Sequence, residues 1–124
     1  MELLLGSETL SVCRLTADQP WPAPPDDGSL FSVTSTGDER SLVCRADLAP
    51  AGARIEAGWR VLTVVGPLDF ALVGVMADLT AAVARAGVSV FVLSTFDTDH
   101  LLVRIDDLDT ADRALTAAGH SVIR

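Results

Sequence analysis

The pattern of apolar and polar positions is clearest between residues 60 and 124, where strand-like and helix-like segments alternate. Short apolar runs rich in β-branched residues predict strands at 60–65, 88–96, 100–105 and 121–123. Apolar side chains at helical spacing predict two helices, with positions Leu72, Val75, Met76, Leu79, Val83 and Ala86 in the first and Leu108, Ala111, Leu115 and Ala118 in the second. The order strand, helix, strand, strand, helix, strand is that of a ferredoxin-like unit.

The first predicted helix has candidate residues at both ends. Asp69 is a candidate N-cap and Gly87 a candidate C-cap. These ends place Gly74 one turn inside the helix, where glycine costs about 1 kcal/mol relative to alanine. Its missing side chain therefore serves either the packing of the helix on the sheet or the close approach of a ligand, and both interpretations remain open.

A weaker copy of this pattern lies in the first half of the chain. A shift of sixty residues aligns Leu30–Leu48 with Val90–Leu108 and gives five identities in nineteen positions. The same shift places the polar segment Ser35–Arg40 on Thr95–His100. We interpret the match as an internal repeat.

The two halves, residues 1–58 and 59–124, differ where the first helix of a repeat should lie. Four prolines crowd residues 20–25, a density that helix interiors do not tolerate. An irregular loop is expected there, in which Trp21 either anchors the loop on the sheet or covers a pocket. The predicted fold class is thus α+β, with two tandem ferredoxin-like units: βαββαβ in the C-terminal half, and a degenerate N-terminal unit whose first helix is replaced by a proline-rich loop.

Composition and charge exclude several classes of partner. The 124 residues are 49% hydrophobic, which is enough for a packed core. A net charge of -8 repels phosphate backbones and anionic lipids, so neither nucleic acid nor a membrane is an expected partner. We expect no signal peptide, because Leu3–Leu5 is too short for an apolar signal core, and Cys13 and Cys44 lie in apolar runs typical of reduced, buried thiols. These features predict a cytoplasmic protein.

The segment Ser94–His100 concentrates hydroxyl and carboxylate groups between two apolar strands, which predicts a hairpin tip. Asp97 and Asp99 repel each other unless a cation or a donor group lies between them. A solvated turn and a ligand site both fit this pattern. The start of the first helix adds unpaired N–H groups between Leu68 and Gly74, which would favour a carboxylate.

Catalysis and metal binding have little support in the sequence. His100 and His120 belong to no recognisable nucleophile motif, and a solvated hairpin lacks the burial that separates the pKa values of two carboxyl groups. Metal binding by Asp97 and Asp99 would need more ligands than the sequence places nearby. We therefore expect no catalytic residue, no metal and no cofactor.

Three features together resemble the ACT-domain family: the sequence Gly-Pro-Leu-Asp-Phe at 66–70, a helix containing Gly74, and the hairpin Val88–Val103. The chain looks most like small bacterial ACT proteins related to the CASTOR arginine sensors and to the regulatory region of aspartate kinase. The resemblance covers residues 30–119 and implies a sensor of small molecules, mostly amino acids, with ligand bound at the interface of ACT units. It also implies a homodimer, because such sensors assemble pockets across paired units.

The resemblance also implies a set of site residues. Gly74 would let the ligand backbone approach the helix, and Asp99 would pair with a cationic group of the ligand. Thr98 stands where an aromatic residue can occur in the arginine sensors, so arginine is not an assured ligand. The residues expected to bind ligand are Leu68, Asp69, Gly74, Val75, Thr95, Phe96, Thr98 and Asp99.

Two functions follow from these expectations. The first is a non-catalytic amino-acid sensor that acts on an unknown protein target. The second is an ACT-like dimerisation or protein-interaction module that binds no ligand. A third hypothesis, a hydrolase or transferase that uses His100 with Asp99, rests only on the adjacency of these two residues.

Overall fold

The computed structural model describes residues 1–124 and has a mixed α+β fold with eight strands and two helices. The strands are β1 (Glu2–Leu5), β2 (Leu10–Leu15), β3 (Ser32–Ser35), β4 (Arg40–Arg45), β5 (Arg54–Val64), β6 (Val90–Ser94), β7 (Asp99–Arg104) and β8 (Ser121–Ile123). The helices are α1 (Val75–Arg85) and α2 (Leu108–Ala117). No helix has the length and apolar character that crossing a membrane would require.

The chain divides into two compact units, which we name by their content. The helical unit comprises Met1–Ser7 and Arg60–Arg124, and the strand unit comprises Glu8–Trp59. Residues 1–7, which the sequence pattern assigned to the N-terminal unit, therefore lie in the same compact unit as residues 60–124. Strand β5 contributes its first residues to the strand unit and its last residues to the helical unit.

The helical unit contains the predicted order of strand, helix, strand, strand, helix, strand, together with one strand that the sequence pattern did not place there. Its strands lie in the order β6-β7-β5-β1-β8. Strand β1 pairs antiparallel with β5 and parallel with β8, so it lies between them. A four-residue strand far away in sequence carries no local signal of its partners, which explains why the pattern did not reveal this position.

The core of the helical unit lies where α1 and α2 pack on this sheet. Leu79 and Leu115 are fully buried, as the helical spacing predicted. The strands contribute alternate residues from the face that the helices cover, which is typical of a sheet with one buried face. The buried strand residues of this cluster are Leu3, Leu62, Val64, Leu101 and Val103.

Helix α1 begins later than the sequence pattern predicted. Its N-cap is Gly74, in the left-handed conformation with φ of 81°, and Asp69 caps no helix. The Asp69 carboxylate instead accepts a hydrogen bond of 2.8 Å from the Ala71 amide in a local turn. The placement of Gly74 inside the helix was therefore wrong. The helix ends at Arg85 with Ala86 as its C-cap, and Gly87, the predicted C-cap, follows one residue later with φ of 77°.

The strand unit is an antiparallel sheet in the order β3-β4-β2-β5. Residues 17–28 form no helix, as their prolines predicted. Trp21 in this loop packs against a buried cluster that includes both free cysteines, Cys13 and Cys44. The Arg40 guanidinium lies over the Trp21 ring, 4.1 Å from its centre, so Trp21 and Arg40 together hold the loop on the sheet.

The two units contain similar hairpins, β3–β4 and β6–β7, each followed by a short 3-10 turn. Strands β4 and β7 have the same pattern of burial. The tips match as well: the Thr36 amide donates to the Glu39 carbonyl over 2.9 Å, and the Thr95 amide donates to the Thr98 carbonyl over 2.8 Å.

This correspondence fixes the offset between the hairpins. Matching the two tip bonds requires a shift of 59 residues, so the predicted shift of sixty was wrong by one. At the corrected offset seven residues are identical between the hairpin regions: Val33, Ser35, Thr36, Asp38, Leu42, Arg45 and Asp47 match Val92, Ser94, Thr95, Asp97, Leu101, Arg104 and Asp106.

Candidate functional site

A cleft of about 230 Å³ lies in the helical unit, between the segment that leads into α1 and the tip of the β6–β7 hairpin. We call it the acidic cleft because three carboxylates and no basic side chain line it. Its lining residues are Leu68, Asp69, Phe70, Leu72, Val75, Ser94, Thr95, Phe96, Asp97, Thr98 and Asp99.

Seven of the eight residues expected from the sequence to bind ligand line this cleft. The exception is Gly74, which stands just before α1 and does not line the cleft itself. A Cβ atom on Gly74 would meet no heavy atom within 4 Å. The positive φ is therefore a sufficient reason for a glycine at position 74, since a larger side chain would meet no neighbour there. Binding of a ligand by the other seven residues stays a prediction.

Hydrogen bonds to the backbone fix the hairpin tip against the segment before α1. The Leu68 amide donates to the Asp97 carbonyl over 2.7 Å. The Thr98 hydroxyl donates to the Val64 carbonyl over 2.5 Å. These two hydrogen bonds hold the walls of the cleft at a defined separation. The amides of Ala71 and Leu72 donate to Asp69, so the prediction that the N–H groups between Leu68 and Gly74 are unpaired was wrong for these two amides and for that of Leu68.

Gly66 makes this close approach of the two segments possible. A Cβ atom at this position would lie 3.0 Å from the Leu68 nitrogen and 3.1 Å from the Asp97 carbonyl oxygen. Any larger residue would therefore push against the hydrogen bond that joins the cleft walls. The sequence pattern marked Gly66 only as the end of a strand and missed this role, although its place in the Gly-Pro-Leu-Asp-Phe segment was a usable signal.

The cleft combines negatively charged side chains with the partial positive charge of a helix start. On the hairpin side, the Asp99 carboxylate accepts a hydrogen bond of 2.6 Å from the Ser94 hydroxyl, and Asp97 lies at the tip. On the other side, Val75 is the first residue of α1, and no side chain caps this helix start. Free amides and the helix dipole favour negative charge there. The cleft can thus accept a cationic and an anionic group at once.

Exposed aromatic side chains stand beside the polar groups. Phe70 and Phe96 are 74% and 79% exposed, and their rings meet edge to face with centres 4.9 Å apart. Val73 nearby is 94% exposed. Such large exposed apolar side chains indicate a surface that contacts a ligand or another molecule. The sequence pattern assigned no role to Phe70, which lies at the end of the segment quoted for the resemblance.

The histidines do not form a catalytic arrangement with the cleft. His100 shares a hydrogen bond of 2.9 Å with the Thr63 hydroxyl, and burial lowers its pKa. Asp99, its neighbour in sequence, accepts instead from Ser94. His120 is buried near Asp78, with 3.2 Å between Nε2 and the carboxylate. No group of three or more His, Cys, Asp or Glu side chains is arranged to hold a metal ion.

Family models match both parts of the chain. A model described as an ACT domain matches residues 54–117. A second model, which describes an N-terminal domain, matches residues 8–52. No protein of curated function matches the chain in sequence.

Solved structures similar to the chain cover nearly all of it. A protein from Agobacterium tumefaciens is 37% identical with a TM-score of 0.88, over 98% of this chain and 91% of that chain. A Vibrio cholerae protein of unknown function, described as a possible transport protein, is 21% identical with a TM-score of 0.70, over 92% and 86% of the two chains. The regulatory subunit of aspartate kinase from Thermus thermophilus is 15% identical with a TM-score of 0.63, over 94% and 95%. The last two show a shared fold.

Proposed function

The chain belongs to the ACT-domain family, and we propose that it is a non-catalytic regulatory protein that senses an amino acid in the acidic cleft. The family and the aspartate kinase regulatory neighbours indicate a regulatory role with small-molecule binding. One observation carries the choice of ligand: Asp99 and Val75, the first residue of α1, line the same cleft. A carboxylate and a helix start so placed suit a zwitterion.

Each charge of an amino acid has a partner in this arrangement. The ammonium group binds to Asp99, and the carboxylate binds to the free amides at the start of α1. A buried charge pair contributes affinity only when hydrogen bonds satisfy both partners, and both sides of the cleft supply them. The volume of about 230 Å³ is smaller than the pockets of roughly 300–1,000 Å³ that hold drug-sized ligands. A single small molecule fits this size.

The first test is a thermal-shift screen of the protein against the twenty amino acids, followed by calorimetric titration of any that bind. A bound ligand raises the melting temperature by mass action. Asp99→Asn should weaken the binding of the amino acid found in the screen about ten- to hundredfold, because a hydrogen bond to a charged group contributes roughly 1.5–3 kcal/mol. The matched control is Asp106→Asn, an exposed carboxylate in the 3-10 turn after β7, which should leave affinity unchanged.

Two results would contradict the proposal. One is the absence of any melting shift across the screen, and the other is equal affinity in wild type and Asp99→Asn. The absence of any shift would favour the alternative, an ACT-like interaction module without ligand, which the exposed side chains of Phe70, Val73 and Phe96 support. Equal affinity would instead remove Asp99 from the binding site. Sedimentation of the same samples tests whether the protein is the proposed homodimer. It also tests the alternative, which requires an assembly that Phe96→Ala weakens.

The strand unit and the cellular setting complete the proposed function. We propose that the strand unit is a degenerate ACT-like unit, because its β3–β4 hairpin matches the β6–β7 hairpin of the helical unit. The proposed boundary between the two domains lies near residue 58. The target of regulation is an unidentified protein, and nucleic acid and membranes are not proposed as partners, given the net charge of -8. The cytoplasmic location stays a prediction.

A further inference from the structure

We propose that the strand unit carries a second binding cleft, which takes a small anion with a carboxylate or phosphate group. The cleft has a volume of about 370 Å³ and lies at the tip of the β3–β4 hairpin. We call it the arginine cleft. Its lining residues are Arg14, Leu15, Thr16, Ala17, Ser35, Thr36, Gly37, Asp38, Glu39, Arg40, Gly52 and Arg54.

The arginine cleft is built from the same part of the hairpin as the acidic cleft. Ser35–Arg40 line it, and at the offset of 59 residues they correspond to Ser94–Asp99, which line the acidic cleft. The chemistry differs at the end of this segment, because Arg40 stands where the other hairpin has Asp99. The equivalent position thus carries the opposite charge, and the class of ligand changes with it.

Two further arginines at this cleft lie side by side on neighbouring strands. Arg14 in β2 lies directly opposite Arg54 in β5. Like charges at directly opposite positions destabilise a pair of strands. Arg14 finds partial compensation, with the Asp38 carbonyl at 3.0 Å and the Glu39 carboxylate at 3.7 Å, whereas the Arg54 guanidinium has no such side-chain partner. An anion that bridges the two guanidinium groups would remove the repulsion.

Arg40 holds a third positive charge in a fixed position. Its guanidinium donates to the carbonyls of Thr16, Ala17 and Gln19 and lies over Trp21, but no carboxylate pairs with it. A donor that is already ordered loses little freedom when a ligand binds. Guanidinium groups also match the planar geometry of carboxylate and the oxygens of phosphate. Asp38 and Glu39 limit the cleft to a small anion, since they would repel an extended polyanion.

The test is a titration of the isotopically labelled protein followed by amide NMR spectra, with inorganic phosphate in one arm and succinate in the other at constant ionic strength. Amides of Ser35–Arg40 should shift, and Arg54→Gln should weaken the response about ten- to hundredfold. Arg113→Gln, an exposed arginine of α2, is the matched control and should bind as wild type does. A response in one arm only identifies the anion class. No response in either arm overturns the proposal.

Two more measurements distinguish an anion site from a purely structural role of Arg54. Asp99→Asn should leave the phosphate or succinate response unchanged, so the two clefts can fail independently. Arg54→Gln should also keep or raise the melting temperature without anion, because it relieves the repulsion from Arg14. A lower melting temperature together with unaltered anion binding would assign Arg54 a structural role and overturn the proposal.

Discussion

Single side chains set the character of both clefts more than the backbone does. The two hairpins share the hydrogen bond that closes the tip, made by Thr36 in one and Thr95 in the other. Ser94 donates to Asp99, which keeps that carboxylate oriented, while Arg40 is oriented by carbonyl groups. The same turn geometry thus presents a negative charge in one unit and a positive charge in the other.

His100 is the residue whose protonation should link stability to pH. Its pKa lies below the ordinary value of 6.5 because burial disfavours the charged ring, against the opposing effect of Asp99. The unfolded chain therefore binds a proton more readily than the folded one. The stability that neutral His100 contributes is fully present above about pH 6.5 and is lost as the pH falls through the folded pKa.

Urea unfolding at pH 7.5 and pH 5.5 measures this contribution. Wild type should lose more free energy of unfolding between the two pH values than His100→Gln, which retains an amide able to bond with Thr63. Imidazole NMR of the folded protein should also give a pKa for His100 below 6.5. Equal losses in the two proteins would show that His100 does not carry the dependence.

At the scale of elements, the start of α1 brings the cleft together. Gly74 ends the irregular segment from Gly66 and allows the helix to begin at Val75, beside the hairpin tip. Helical spacing predicted Leu79 and Val83 on the buried face of α1, but it missed the buried Ala82 and included Ala86 and Leu72, which are exposed. Periodicity shows which side chains are apolar and contains no information on backbone φ. The predicted helix therefore began one turn too early.

Substitutions of Gly74 can show whether backbone conformation or side-chain size requires a glycine at this position. Gly74→Ala should reduce the free energy of unfolding by about 1–2 kcal/mol, because the left-handed conformation is costly for a residue with a Cβ atom. Gly74→Asn should be less harmful despite its larger side chain, since asparagine tolerates that conformation. Gly37→Ala, which meets no atom within 4 Å and has no positive φ, is the control.

Denaturant unfolding of the three variants gives the answer. The expected order of stability is Gly37→Ala, then Gly74→Asn, then Gly74→Ala. If Asn were worse than Ala at position 74, size rather than conformation would limit this position. That result would favour the interpretation in which the glycine makes room for a neighbour.

The sequence was informative about local segments and less so about how distant segments combine. The hairpin, the two helices and the proline-rich loop each carry a signal in consecutive residues, and so did the group that lines the acidic cleft from Thr95 to Asp99. The arginine cleft had no such signal. Arg14, Arg40 and Arg54 are far apart in the chain, and only strand pairing brings them together.

For the whole molecule, the position of β1 has the largest consequence for stability. Its pairing with both β5 and β8 makes residues from the beginning of the chain part of the core under α1 and α2. Leu3 is fully buried in that core, whereas its neighbour Leu4 points to the other face and is 50% exposed. Adjacent leucines in one strand thus offer a matched pair of substitutions.

Leu3→Ala should destabilise the helical unit by about 2–5 kcal/mol, because it leaves a cavity among side chains that cannot fully close around it. Leu4→Ala should cost much less, about 0.5 kcal/mol, as is usual for exposed positions. Hydrogen exchange locates the effect: amides of β8 and of the last residues of β5 should lose protection in Leu3→Ala, although these segments lie some sixty to one hundred and twenty residues away in sequence. Similar protection in both variants would mean that β5 and β8 are held mainly by the helices, and that β1 adds little to the sheet.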